Sequence, residues 1–196
     1  MAHAEGSRAV KVGVVLAQQP HDLGEWLADG AAFEAAGADA LCVDFAGEPQ
    51  LDPLALTAAL AAVTFRPLLV TTLPASEGPA IARTLGTIGQ LSHGRLRILA
   101  DVAPSGGLAE IAPRLGVFRR ISGEPGAFEH LREPEAAERW VSAPSPDSRA
   151  TWRAALRDAA ERGAGGLLVT AGPRLLDILR NPDDQGDRRD LQLAQG

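Results

Sequence analysis

Short apolar runs alternate with helix-periodic segments along most of the chain. A strand that is buried on both faces is apolar at consecutive positions, so these runs predict strands of a buried sheet. Apolar residues spaced three and four apart predict amphipathic helices between the strands. The predicted strands lie at 10–16, 40–45, 68–73 and 96–102, and the predicted helices at 23–36, 53–63 and from 79 to a stop at Gly94. This alternation is typical of βα units around a parallel sheet.

Two local patterns support this arrangement. Asp52 is placed to cap the second helix, and Pro53 suits its first turn because its missing N–H is not needed there. Residues 34–43 and 160–169 share one pattern, in which a helix end is followed by a Gly-Ala turn and a buried strand. A repeated turn of this kind is expected in a (βα) barrel or in a doubly wound sheet.

The middle of the chain, residues 104–144, has a less regular pattern. Its charged and proline-containing stretches favour short elements over a further full βα unit. The expected pieces are a short helix at 108–115 interrupted at Pro113, a short strand at 117–121, and a helix-compatible segment at 127–140 that Pro134 breaks.

Regular structure is predicted again after this segment. Ser145 is the expected N-cap of a helix that runs to Arg162, and a strand at 166–170 and a helix at 173–180 follow. The pattern therefore gives five strands and one short additional strand, which is fewer than the eight of a complete barrel. The predicted fold class is α/β, a shortened or incomplete TIM-like (βα) barrel with a mainly parallel sheet.

Composition limits the classes of function. The chain has 196 residues, against ~250 for a typical complete barrel. Its net charge of −6 argues against nucleic-acid binding, and no apolar run is long enough to span a membrane. The single cysteine excludes a disulfide framework and a multi-cysteine metal site. We expect a cytoplasmic protein with one domain over residues 10–180 and flexible polar ends at 1–9 and 181–196.

Residues 26–95 resemble the N-terminal half of the bacterial luciferase-like family of flavin-dependent oxidoreductases. The most specific part of the match is a Leu-Ser-x-Gly-Arg motif between the third helix and the fourth strand. The matching segments are AAFEAAGADAL at 31–41, DPLAL at 52–56, PAIARTL at 79–85 and Leu91-Ser92-His93-Gly94-Arg95.

This resemblance implies a TIM-like barrel that binds FMN or the deazaflavin F420 at the C-terminal ends of its strands. It implies cofactor contacts at Thr71, Thr72 and Leu73, with a strained non-prolyl cis peptide bond between the last two behind the flavin ring. It also places Asp101 beside the flavin, where family members often have glycine. From strand alternation alone, one of Thr71 and Thr72 faces the barrel interior.

Candidate catalytic groups are few. Asp44 ends the second strand and His21 lies in the first βα loop, both at the end of the barrel where catalytic residues collect. Each also has a structural alternative, a capping carboxylate for Asp44 and a solvent-exposed side chain for His21. Arg95 is expected to pair with carbonyls at a helix end, and Cys42 to be a buried, unreactive thiol.

Three hypotheses follow. The first is a flavin-dependent oxidoreductase of the luciferase-like monooxygenase class that acts on a small molecule. The second is a catalytically silent relative that serves as a ligand-binding or partner subunit. The third is an unrelated α/β protein whose match reflects its alanine-rich composition, which the Leu-Ser-x-Gly-Arg motif argues against. Since an incomplete barrel would expose strand edges, we expect a homodimer, a partner subunit, or coverage by residues 104–144.

Overall fold

The computed structural model describes residues 10–17, 20–43, 51–73, 79–100, 106–131 and 136–181. Within these ranges, eight strands form one closed barrel in chain order, accompanied by six helices. The strands are β1 Lys11–Leu16, β2 Ala40–Val43, β3 Leu68–Thr72, β4 Leu96–Ala100, β5 Val117–Arg120, β6 Ala127–Leu131, β7 Glu138–Ala143 and β8 Gly166–Thr170. The helices are α1 Leu23–Ala35, α2 Pro53–Val63, α3 Pro79–Leu91, α4 Gly106–Leu115, α5 Arg149–Glu161 and α6 Pro173–Arg180.

The barrel is of mixed strand direction. Strands β1 to β5 pair in parallel, and β7, β8 and β1 also pair in parallel. Strand β6 runs in the opposite direction and pairs antiparallel with β5 and with β7. The chain passes from β5 to β6 through a short turn at 121–126 instead of a helix, as an antiparallel pair allows.

The expectation of an incomplete barrel is wrong, because each of the eight described strands has two hydrogen-bonded neighbours. The closing strands come from residues 104–144, which hold α4, β5, β6 and β7. The open edges on which the expected dimer depended are therefore absent among the described strands.

The helix-compatible interpretation of residues 127–140 is also wrong. In β6, Phe128 and His130 face the barrel interior while Ala127 and Glu129 face outward, which is the two-residue period of a strand. Outward-facing and inward-facing positions both carry polar groups here, so the segment lacks the continuous apolar run that identified the parallel strands.

Two helix boundaries also differ from the prediction. Helix α4 continues through Pro113, so the proline does not interrupt it. The N-cap of helix α5 is Ser148, whose side chain and that of Thr151 each accept a hydrogen bond from the other residue's backbone N–H in a reciprocal capping box. Ser145 instead donates its hydroxyl hydrogen bond to the carbonyl of Thr170, at 3.0 Å.

The predicted start of α2 and end of α3 are confirmed. The Asp52 carboxylate accepts a hydrogen bond from the backbone N–H of Leu54 at 2.8 Å, and Pro53 occupies the first turn. Helix α3 ends through His93 and Gly94, both with positive φ, and the N–H of Gly94 returns to the carbonyl of Gly89. This reversal turns the chain directly into β4.

The core has two layers. One lies between the barrel and its helices and is rich in leucine, alanine and valine. The other fills the barrel interior, where the aromatic rings of Phe118, Phe128 and Trp140 pack with smaller side chains of the other strands. Trp140 is fully buried, and Phe118 meets it edge-on with ring centroids 5.3 Å apart. The interior is thus a packed core.

Among the described helices, none is both long and apolar enough to cross a membrane.

Candidate ligand-binding site

The mouth of the barrel is the end at which the parallel strands finish. Side chains alternate between the two faces of a strand, so a residue two positions from an inward-facing core residue also faces inward. At the mouth end of each strand, such a residue lines the mouth. These mouth residues are Val15, Thr72, Arg120, Phe128, Ser142 and Thr170. Barrel enzymes place their chemistry at this end because the loops there vary without disturbing the core.

A cavity of about 430 Å³ opens beside the mouth, between the ends of β1 and β8 and the helices α1 and α6. Its size falls within the range of small-molecule sites. Most of its wall is apolar, and Asp29 and Thr170 are its polar side chains. It is lined by Val15, Leu16, Ala17, Trp26, Asp29, Phe33, Thr170, Ala171, Gly172, Pro173 and Leu176.

The cavity has a defined rim. The indole N–H of Trp26 donates to the carbonyl of Ala17 at 2.8 Å, which ties α1 to the end of β1. On the other side, α6 begins at Gly172 without a side-chain cap. A helix N-terminus carries partial positive charge, so this side of the cavity suits an acceptor or an anion. A Cβ at Gly172 would meet no atom within 4 Å, which shows open space at this point.

Of the three predicted cofactor contacts on β3 and its loop, only Thr72 lies on the inward face. Thr71 is fully buried on the outer side of the sheet, where its hydroxyl lies 3.4 Å from the carbonyl of Pro53 in α2. Leu73 packs among side chains of the helix layer around Leu54 and Leu85. Strand alternation thus identifies the inward-facing threonine as Thr72.

The remaining predicted site residues contribute less. His21 is exposed just before α1. Asp44 and Asp101 lie outside the described residues. Cys42 is fully buried inside the barrel, and this burial raises the pKa of its thiol far above the ordinary value. Such a thiol does not act as a nucleophile.

The sequence did not predict one of the mouth residues, Arg120. Arg120 follows Phe118 by two positions and therefore shares its inward face, at the mouth end of β5. Its guanidinium carbon lies 5.3 Å from the centre of the Phe128 ring. The alternation in Val117-Phe118-Arg119-Arg120 could have revealed it, because only one of two adjacent arginines can face inward.

A polar network closes the opposite end of the barrel, here called the floor. The ammonium of Lys11 lies 2.8 and 2.9 Å from the two carboxylate oxygens of Glu138, and the indole N–H of Trp140 donates to Glu138 at 3.1 Å. The Nδ1 atom of His130 lies 3.8 Å from Glu138, and its Nε2 accepts a hydrogen bond from Nε of Arg97 at 3.0 Å. An accepting Nε2 is unprotonated, so His130 has the neutral form here.

Arg97 anchors the network to the backbone. One of its terminal nitrogens donates to the carbonyls of Gly94, Leu96 and Leu115 at 2.8 to 2.9 Å. The floor therefore braces β1, β4, β6 and β7 across the barrel. This end of a barrel commonly serves stability.

The ionised Glu138 in the floor network makes the free energy of unfolding depend on pH. Burial raises the pKa of the Glu138 carboxyl, but hydrogen bonds from Lys11 and Trp140 and the charge of Lys11 outweigh it and leave the pKa lowered. Ionised Glu138 thus stabilises the fold above its unfolded-state pKa of about 4.3, and this stabilisation is lost as the pH falls through the folded-state pKa. We expect Glu138→Gln to reduce stability at pH 7 by on the order of 1 kcal/mol and to flatten the loss of stability as the pH falls below about 5.

The measurement is the free energy of unfolding by urea at each pH. Glu110→Gln, an exposed change on α4, is the matched control and should retain the wild-type pH profile. A wild-type profile in Glu138→Gln would contradict the prediction.

Within the described ranges, no group of three or more histidine, cysteine, aspartate or glutamate side chains is arranged to hold a metal ion. No protein-family model matches the chain, and no curated protein matches it either. The cavity and the mouth are therefore the features from which a function is inferred.

Proposed function

We propose that this protein is a flavin-dependent oxidoreductase of the luciferase-like monooxygenase class, acting on a small-molecule substrate. The scaffold would be a variant of the TIM-like barrel with a mainly parallel sheet, in which β6 is reversed. The observation that carries the proposal is the cavity of about 430 Å³ at the ends of β1 and β8. It occupies the end of the barrel at which ligands of such folds bind.

The lining of the cavity suits a flavin. Half-buried apolar side chains of its wall, such as those of Val15 and Leu176, offer apolar surface to an isoalloxazine ring. Thr170 and Asp29 can bond its polar edge or its ribityl hydroxyls. The start of α6 follows β8 directly, and barrels commonly bind a phosphate with the loop after the eighth strand and the N-terminus of a short helix.

The chain's own residues would bind and orient the cofactor, FMN or F420, and exclude water from it. A bound reduced flavin would supply the electrons for reaction with oxygen or with substrate. Thr72 remains the proposed cofactor contact on β3, since it reaches the mouth. His21 remains a proposed acid or base, Asp44 a proposed hydrogen-bond partner of the substrate or of a flavin ring nitrogen, and Asp101 a proposed cofactor neighbour.

A catalytically silent relative is the second candidate. The cavity wall favours this candidate. Its polar side chains are Asp29 and Thr170, and the described residues of the wall contain no acid–base pair. Such a protein would bind flavin or another ligand without turnover. It could act as a homodimer or as a partner subunit.

The test is titration of the protein with FMN, reduced FMN and F420, followed by fluorescence and calorimetry. We expect Gly172→Leu to weaken binding roughly tenfold or more, because its side chain would fill the open space beside α6. The backbone at Gly172 is extended, so leucine introduces no strain. Gly86→Leu is the matched control, since a side chain there also meets nothing within 4 Å but lies on α3, away from the cavity.

Absence of binding by all three flavins at high micromolar concentration would overturn the proposal. Equal weakening by the two leucine variants would show that the flavin binds elsewhere. Oxygen uptake with reduced FMN then separates the two candidate functions, since a silent relative binds without accelerating it.

A further inference from the structure

Helix α2 has no charged side chain, although it lies on the outside of the barrel. Its single polar side chain, Thr57, is fully buried and donates its hydroxyl to the carbonyl of Pro53 at 2.7 Å. The exposed positions Ala55 and Ala62 are apolar as well. A helix that is apolar on all sides is normally covered, so the outer face of α2 is a candidate for contact with another protein chain.

A groove of about 210 Å³ lies between α1 and α2, near the starts of both helices. Its described wall consists of leucine, alanine and tryptophan side chains together with Asp52, the N-cap of α2. Leu23 and Leu51, which belong to this wall, are large apolar side chains that are exposed to solvent. The groove is therefore an accessible apolar surface with one carboxylate, and it lies toward the mouth end of the barrel.

A projecting aromatic side chain lies at the other end of this boundary between the two helices, which we call the α1–α2 seam. Phe65 follows α2 and is 72% exposed, and its backbone N–H donates to the Glu34 carboxylate of α1 at 2.9 Å. The next residue, Arg66, lies 3.5 Å from the same carboxylate, while its side chain is largely exposed. The seam thus has a groove with a carboxylate at one end and a ring with a guanidinium at the other.

The two ends of the seam are complementary to each other in a second copy of the chain. Ala55 in the groove and Phe65 lie roughly 15 Å apart at the rise of an α-helix. A two-fold axis that crosses the seam midway between them, perpendicular to α2, pairs two α2 helices antiparallel. It brings each Phe65 to the other copy's groove and each Arg66 to the other copy's Asp52. Because both ends belong to one seam, each contact forms twice and the assembly closes as a dimer.

We propose that this protein forms a homodimer through the α1–α2 seam, with α2 antiparallel to α2 of a second copy and each Phe65 ring in the opposite groove. Such a contact removes an exposed ring and an exposed apolar groove from water together, and buried aromatic side chains are typical of interface hot spots. The interface uses helices and no strand edge, so it is compatible with the closed barrel. It does not depend on the proposed function.

Sedimentation velocity of the full chain, from low to high micromolar concentration, tests the dimer. We expect wild type to reach twice the chain mass of 20.4 kDa. Phe65→Asp should raise the dissociation constant of the dimer roughly tenfold or more, because a charge replaces the ring that enters the groove. Since Phe65 is mostly exposed in one copy, this variant should unfold at the wild-type temperature when both are measured as monomers.

Leu91→Asp is the matched control. It also replaces an exposed large apolar side chain by a charge, but at the end of α3, outside the seam. It should leave the dissociation constant unchanged. An equal loss of dimer in Leu91→Asp and Phe65→Asp would show that general surface charge is responsible, and would overturn the inference.

Charge exchange tests the antiparallel pairing. Ala55→Lys introduces an ammonium into the groove at an exposed position and should weaken the dimer by itself. Combining it with Phe65→Asp should restore much of the lost affinity, because the introduced ammonium of each copy then faces the introduced carboxylate of the other. The two positions of one chain are too far apart to form this pair within a monomer.

Four results would overturn the inference. A wild-type chain that stays monomeric at high micromolar concentration would assign the groove to a different occupant. A dimer that persists in Phe65→Asp would have its interface elsewhere. Failure of the double variant to regain affinity would exclude the antiparallel pairing. Growth of the wild-type mass beyond a dimer would indicate head-to-tail association, in which each ring enters the groove of the next copy without closure.

Discussion

Gly166→Ala is expected to destabilise the barrel by about 3 kcal/mol. A Cβ at this position would lie 2.2 Å from Cδ2 of Trp140 and 2.4 Å from two further atoms of the same ring. Trp140 is fully buried, and its rigid indole is fixed by the hydrogen bond to Glu138. The ring cannot move aside without displacing Phe118 and the floor network. A Cβ at Gly13 on β1 would lie 3.1 Å from the same ring and 2.5 Å from Cδ2 of Leu168.

Urea unfolding followed by circular dichroism measures this effect. Gly86→Ala is the control and should be neutral or stabilising, because alanine favours a helix over glycine and meets no neighbour there. The double variant Gly166→Ala with Trp140→Leu should lose less stability than the sum of the two single changes, since the smaller side chain removes the clash. A Gly166→Ala protein as stable as wild type would show that the ring is not held at this position.

The first four strands and the last one could be predicted from sequence because each is apolar at nearly every position. Burial on both faces produces that pattern, and the parallel β1 to β4 and β8 have it. Strands β6 and β7 could not be found in this way. Their outward faces carry Glu129 and Arg139, and their inward faces end at the floor with His130 and Glu138, so polar residues occupy both faces.

The site was less predictable than the fold for a different reason. Whether Thr71 or Thr72 faces inward depends on strand parity, which the apolar run 68–73 does not reveal. The cavity depends on where α6 meets α1, and these elements are distant in the chain. The space that Gly166 leaves for Trp140 likewise depends on a contact between two different strands. Contacts between distant segments have no local sequence pattern, whereas helix caps such as Asp52 do.

Arg95→Met is expected to destabilise the protein by about 3 kcal/mol. The Arg95 side chain is largely buried, and it donates to the carbonyl of Ser92 at 2.9 Å, of Pro67 at 3.0 Å and of Thr64 at 2.6 Å. Burial lowers its pKa more than the charge of Glu34 raises it, yet arginine remains charged in proteins. Methionine fills similar space but leaves these buried carbonyls without their donor.

The whole Leu-Ser-x-Gly-Arg motif acts as one joint between α2, α3 and β4. The Ser92 hydroxyl donates to the carbonyl of Gly89 and accepts from the N–H of Leu96, and Gly94 supplies the positive φ of the reversal. Arg95 then closes the C-terminal end of α2. The motif therefore carries information about the scaffold of the barrel.

One variant can show whether the motif affects stability without affecting ligand binding. Folded Arg95→Met should bind FMN with wild-type affinity, because the joint lies at the floor end of the barrel while the cavity lies beside the mouth. Arg83→Met, an exposed change on α3, is the control for loss of charge and should leave both stability and binding unchanged. Reduced ligand affinity in Arg95→Met at temperatures where it is fully folded would show that the motif also shapes the site.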